Sequence, residues 1–130
     1  MDKGLAKKNF QYEKFNDIHK LNTQTYTWDK CAPTGTRPSP RCGCVCWYTG
    51  DRVVVFGGVG DRPTNVKDNE QIVQQKKNTS WYYNNQIFHM TVGEHTQWHH
   101  ATCTGTIPTP RSACDLGPCE VLFTKYLTKT

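Results

Sequence analysis

The chain has 130 residues, 35% hydrophobic and 21% charged, with sixteen basic and eleven acidic side chains giving a formal charge of +5. That suffices for one small domain with a modest core and is too apolar for wholesale disorder. No apolar run approaches the roughly eighteen residues of a membrane-spanning helix, and the opening MDKGLAKKNFQYEKF lacks the apolar stretch of a secretory leader, so the expectation is a cytosolic or nuclear protein without a membrane partner.

The basic excess is mild and spread along the chain, with its densest clusters at Lys7-Lys8 and Lys76-Lys77. Nucleic-acid binders concentrate charge in a stripe, so no nucleic-acid partner is expected. The seven cysteines are Cys31, Cys42, Cys44, Cys46, Cys103, Cys114 and Cys119. An odd count without a leader argues against a secreted disulfide framework; in a reducing compartment they read as small core residues.

In chain order, Ile18–Leu21 alternates apolar and polar residues, Asn22-Thr23-Gln24-Thr25 supplies turn chemistry, and Tyr26–Trp28 resumes an extended pattern. The box Thr34-Gly35-Thr36-Arg37-Pro38-Ser39-Pro40-Arg41 cannot continue a strand, because proline removes donors and glycine loosens the backbone. Arg41–Tyr48 follows, with Cys42, Cys44 and Cys46 predicted on one strand face by the period of two. Gly50-Asp51 marks a turn, Arg52–Phe56 a doubly buried strand, and Gly57-Gly58 its end. The segment 61–80, rich in Asn, Gln, Lys and Asp, reads as a long loop insertion.

The pattern then repeats. His19 to Trp28 is matched by His89 to Trp98, and TGTRPSPR at 34–41 by TGTIPTPR at 104–111. The offset is 70 residues for Trp28 and Trp98, Gly35 and Gly105, and Arg41 and Arg111, and only two positions of the box differ. Two strands after the box and two before its next copy make a four-stranded antiparallel unit, the repeating element of a β-propeller.

Here the chain resembles the kelch-repeat family. The match lies in Val53-Val54-Val55-Phe56-Gly57-Gly58, in the strand opening Asn16-Asp17-Ile18, in the tryptophan, and in Pro-x-Pro-Arg, over roughly Phe15 to Leu116. The resemblance implies an all-β fold of about two incomplete four-stranded antiparallel blades. The expected division is a loop segment 1–15, a repeat region 16–118 and an atypical tail 119–130. The offset exceeds the roughly fifty residues usual for kelch, the surplus being the 61–80 segment. In the second unit the position equivalent to the double glycine falls in Lys125-Tyr126-Leu127, with no glycine. The expected complete propeller needs more blades than this, so the chain reads as a fragment or as part of an assembly.

The same resemblance implies a protein or peptide partner and no catalysis. NDIHKLNTQTYTW followed by GTRPSPR is similar to kelch domain-containing proteins, many of which are thought to be substrate receptors of cullin-type ubiquitin ligases. In kelch-type receptors of C-terminal degrons, the residue after Pro-Arg and arginines after the double glycine line the pocket; by position these are Cys42, Ser112 and Arg62. Arg41 and Arg111 follow the prolines and either brace neighbouring loops or offer a planar fork to a carboxylate. An actin-binding scaffold is the alternative function, and a truncated, inactive product a further reading. A copper oxidase built on kelch blades would need secretion and converging Tyr, His and Cys, for which Tyr48 and Cys46 are the nearest residues.

No cofactor is expected. Cys42, Cys44 and Cys46 at alternate positions suit a packed face better than the two-to-four-residue spacing of structural zinc. Among His95, His99, His100 and Cys103, adjacent histidines on a strand point to opposite faces. Gly57-Gly58-Val59-Gly60 lacks the third glycine and the helix of a dinucleotide loop. Asn78-Thr79-Ser80 is a glycosylation sequon that a chain without a leader does not expose to the enzyme. Trp28 and Trp98 recur at one repeat position and read as blade packing.

Overall fold

The computed structural model describes residues 13–112, and among them it holds only strands, turns and irregular segments. The 119–130 tail, most of the 1–15 segment, Cys114 and Cys119 lie outside the described residues. Strands β1 (Ile18–Asn22) and β2 (Thr27–Cys31) form a hairpin by themselves. Its turn is built by the Asn22 carboxamide, whose Oδ1 accepts the Gln24 and Thr25 backbone N–H groups at 2.9 and 3.3 Å.

Then come β3 (Thr34–Gly35), β4 (Arg41–Cys42), β5 (Val45–Tyr48), β6 (Arg52–Phe56) and β7 (Val59–Gly60). The remaining strands are β8 (Ile72–Gln74), β9 (Tyr82–Asn84), β10 (Ile87–Thr91) and β11 (Gln97–His100).

One four-stranded blade is complete, in the order β5-β6-β10-β11, antiparallel throughout. The β1–β2 hairpin corresponds by the 70-residue offset to β10–β11, and so is the outer half of a second blade. The two blades expected from the repeat are therefore one whole blade and one outer hairpin among the described residues. Strand β3 runs parallel to β11 along the blade's outer edge, so the connector leaving one hairpin closes the edge of the next. Gly35 in β3 has φ +86°, and a Cβ there would lie 2.1 Å from the Trp98 carbonyl oxygen. Its repeat counterpart Gly105 has φ +84° with nothing near its Cβ position among the described residues.

The core lies on one face of the blade: Val55, Phe88, Met90 and Trp98, with Ile18, Cys44 and Val53 packed against them. Registry explains the set, since Val55 faces Phe88 across β6 and β10, and Met90 faces Trp98 across β10 and β11. Phe88 meets Trp98 edge-on, with ring centroids 6.5 Å apart. The repeated tryptophans part company here: Trp98 is 5% exposed and Trp28 is 65% exposed. Trp98 stands over the central strands of a finished blade. Among the described residues Trp28 stands on a hairpin with none, opposite Leu21 in the register.

Two expectations need correction. Cys42, Cys44 and Cys46 do not share one continuous strand, because Gly43 at φ +66° separates β4 from β5. Cys42 and Cys46 are exposed, and only Cys44 turns in, its thiol donating to the Gly57 carbonyl at 3.4 Å. The 61–80 segment is also more than a loop. It contributes β8, which pairs with β9 through a turn where Asn78 takes φ +66°. This hairpin joins β4 and β7 in a second sheet, ordered β4-β7-β9-β8.

Candidate functional site at the loop end of the blade

The second sheet gathers at the end of the blade where β6 stops, around Gly57-Gly58. Both glycines have positive φ, +66° and +97°. A Cβ on Gly57 would come within 2.7 Å of the Arg111 carbonyl oxygen, and one on Gly58 within 2.6 Å of the Cys44 sulfur. Close approach of neighbouring atoms therefore explains the double glycine.

Of the five residues singled out from the sequence, Arg41, Arg111 and Cys42 touch this end, Ser112 follows Arg111, and Arg62 lies beyond the far end of β7. Arg41 opens β4 and sends its guanidinium inward. Nε donates to Ser39 O (3.0 Å), Nη1 to Asn84 Oδ1 (3.0 Å) and Gly57 O (3.5 Å), and Nη2 to Ser39 Oγ and Gln86 Oε1 (both 2.9 Å). It also lies 5.2 Å above the Phe88 ring. Burial pushes its pKa down to about 10, so it stays a cation at neutral pH. Its forked donors tie three loops together, which is the bracing role foreseen for it.

The acceptors come from Asn84-Asn85-Gln86, a polar run the sequence reading passed over, each residue no more than 3% exposed. Asn84 Nδ2 donates to the carbonyls of Gly57 and Gly58, at 3.2 and 3.3 Å. Asn85 Oδ1 takes the Gln71 N–H (2.8 Å), and Asn85 Nδ2 donates to Pro108 O (3.1 Å). Gln86 Nε2 donates to Asn65 O (2.9 Å) and to Glu70 Oε1 (3.2 Å). Glu70 in turn accepts the Lys67 N–H (2.8 Å) and meets His100 Nε2 at 2.7 Å, a pair almost fully buried. Lys67 Nζ completes the clamp on the His100 carbonyl at 2.8 Å. A buried network this fully bonded rigidifies the loops it joins.

Arg111 repeats the local geometry of Arg41: Nε donates to Thr109 O (3.0 Å) and Nη2 to Thr109 Oγ1 (2.8 Å), as Arg41 does to Ser39. Its backbone locks onto the double glycine, with Gly58 N–H donating to Arg111 O at 2.9 Å. Ser112 is 1% exposed, and its hydroxyl lies 3.4 Å from the Gly43 carbonyl. Arg62 is exposed, with its guanidinium 5.7 Å over the Tyr82 ring. Cys42 is exposed in β4, paired with Val59.

A cleft of about 280 Å³ borders Arg41, lined by Asn16, Asp17, Ser39, Cys42, Cys46 and Trp98 among others. Asp17 is held below the ordinary carboxylate range, chiefly by its hydrogen bond to His19.

The metal candidates do not assemble. His99 stacks on His89, with ring centroids 4.8 Å apart, while His100 stacks on Phe88 on the opposite face, at 4.4 Å. His95 is exposed in the β10–β11 turn. Among the described residues no three His, Cys, Asp or Glu side chains form a metal-binding group.

Comparison with known proteins agrees with this architecture. A profile described as the KLHDC2/KLHL20/DRC7 Kelch-repeats domain matches residues 7–123. The chain belongs to the kelch-repeat family. Kelch propellers are protein–protein interaction modules, and the all-β kelch blade expected from the repeat is what the strands build. Kelch domain-containing protein 3 of Homo sapiens is 41% identical over 49 residues, 38% of this kelch chain and 13% of the relative. Kelch domain-containing protein 2 of Homo sapiens is 47% identical over 45 residues, 34% of this chain and 11% of the relative. The matched segments thus span about an eighth or less of those relatives.

Proposed function

We propose that this kelch blade presents its loop end to a partner protein and captures an exposed carboxylate of it, in the manner of a substrate receptor for a cullin-type ubiquitin ligase in the cytoplasm or nucleus. What supports the reading is that Arg111 and Cys42 lie against the double glycine, with Ser112 next to Arg111, over a buried network that braces the loop, while exposed Arg62 follows two residues beyond β7. Arg41 serves this site from beneath, by holding Ser39, Asn84 and Gln86. Arg62 and Arg111 supply the positive face, since a guanidinium fork suits a carboxylate. The ligase step draws on family resemblance.

The test is binding of a peptide library displayed once as free C-terminal acids and once as amides. The expected result is selection of peptides that bind at least tenfold more tightly as acids. Arg62→Ala and Arg111→Ala should each weaken that binding severalfold. Equal binding of acids and amides would remove the carboxylate from the reading.

A further inference from the structure

Among the described residues the β8–β9 hairpin leaves one strand edge open. β8 is the terminal strand of its sheet, and Gln75 N–H donates to Trp81 O at 2.8 Å on the β9 side. Antiparallel pairing alternates, so Val73 and Gln75 bond toward β9, while Ile72 and Gln74 turn their N–H and C=O groups outward. No hydrogen bond among the described residues engages those outward groups.

Natural edges are blunted by shortness, proline, charge or bulges. Ile72-Val73-Gln74 is short but carries no proline, charge or bulge, and Val73 is 51% exposed. The chain then turns through exposed Lys76 and Lys77, while exposed Asp68 precedes the strand. An added strand would therefore meet positive charge at one end of β8 and negative charge at the other.

We propose that the β8 edge is a strand-addition site for an extended segment of a partner protein, antiparallel to β8, with acidic residues preceding a β-branched stretch. In that orientation the segment's N-terminal part lies beside Lys76-Lys77 and its apolar part beside Ile72. This rests on the protein-recognition reading above, but not on the carboxylate site. With two outward residues, the backbone offers at most four hydrogen bonds, so binding is weak alone and gains by linkage to a second contact.

A random linear peptide library panned on the chain tests it. The expected consensus is Asp or Glu before Val, Ile or Thr. The best synthetic peptide should bind at least tenfold more weakly to Gln74→Pro, which removes one outward N–H and leaves the Val73 and Gln75 donors to β9. Lys76→Glu with Lys77→Glu should weaken it at least as much and reverse the sign of its salt dependence. In the wild-type chain, peptide should slow amide exchange at Ile72 and Gln74 without affecting Val73, a readout independent of the variant's folding. Unchanged binding to a folded Gln74→Pro chain, or an enriched consensus without acidic residues, would overturn the proposal. So would self-association of the chain that Gln74→Pro abolishes, because the occupant would then be a second copy. Arg62→Ala, Arg111→Ala and C-terminal amidation should leave this binding intact. If they abolish it, the peptide sits at the carboxylate site and only the β8 assignment fails.

Discussion

Trp28 and Trp98 occupy one repeat position with opposite burial, which makes a controlled experiment. The difference in exposure, from 65% to 5%, amounts to about 120 Å² on a side chain that buries about 200 Å². At about 25 cal/mol per Å² this is about 3 kcal/mol. Trp98→Ala adds a cavity beneath Phe88 and Met90, so its expected cost is about 3–5 kcal/mol. Trp28→Ala removes only the cross-strand contact with Leu21, expected at about 0.5 kcal/mol. Urea unfolding followed by circular dichroism reads both without relying on the fluorophore being removed. An unchanged m-value would show that the variants share the parent's folded and unfolded states. Similar losses for the two variants would refute the reasoning, since the β1–β2 hairpin would then bury its tryptophan as the complete blade does.

Gly58→Ala should cost about 2 kcal/mol or more, through both positive φ and the clash with Cys44, whereas Gly50→Ala at φ +98° in open space pays only for its φ; the difference between the two denaturation midpoints isolates crowding. Glu70→Ala leaves the Lys67 N–H, Gln86 Nε2 and His100 Nε2 short of an acceptor, so hydrogen exchange over 65–71 should accelerate while β6 and β10 stay protected. His89 is held below its ordinary pKa of 6.5, first by burial and then by His99 and Arg52. Its neutral form is favoured by folding, so this stability is present above about pH 6.5 and is lost as pH falls through the depressed value. His89→Gln should flatten the fall in unfolding midpoint between about pH 7.5 and 5.5; an unchanged slope would assign the fall to other groups.

The repeat made much of this architecture readable. Strands β1, β2, β6, β10 and β11 fall where alternation, apolar runs and turn residues put them, because each signal is local. The β8–β9 hairpin was hidden: a three-residue strand flanked by Asn, Gln and Lys has too little periodicity to register. The cysteines misled because period-two reasoning assumes an unbroken strand, and Gly43 breaks it. Trp28 misled because sequence identity at a repeat position does not specify whether inner strands stand beneath it. At the site, Arg41 and Arg111 stood out by their place after the prolines, and both bond to the double glycine; Cys42, Ser112 and Arg62 were named by family position. The buried Asn84-Asn85-Gln86 run and the Glu70–His100 pair had no signal, since such residues read as surface until their partners are known.

The connector glycines carry a consequence for how the chain is built. Gly35 is engaged in the β3–β11 pairing and Gly105 has no close neighbour among the described residues, yet their φ values differ by only two degrees. The bend therefore belongs to the Thr-Gly-Thr sequence itself and does not await its docking surface. A connector already bent has surrendered its conformational freedom before the neighbouring edge arrives, so fastening it costs little further entropy. Growth from one blade to the next is in that sense prepared one step ahead, which favours orderly addition along the chain over simultaneous closure.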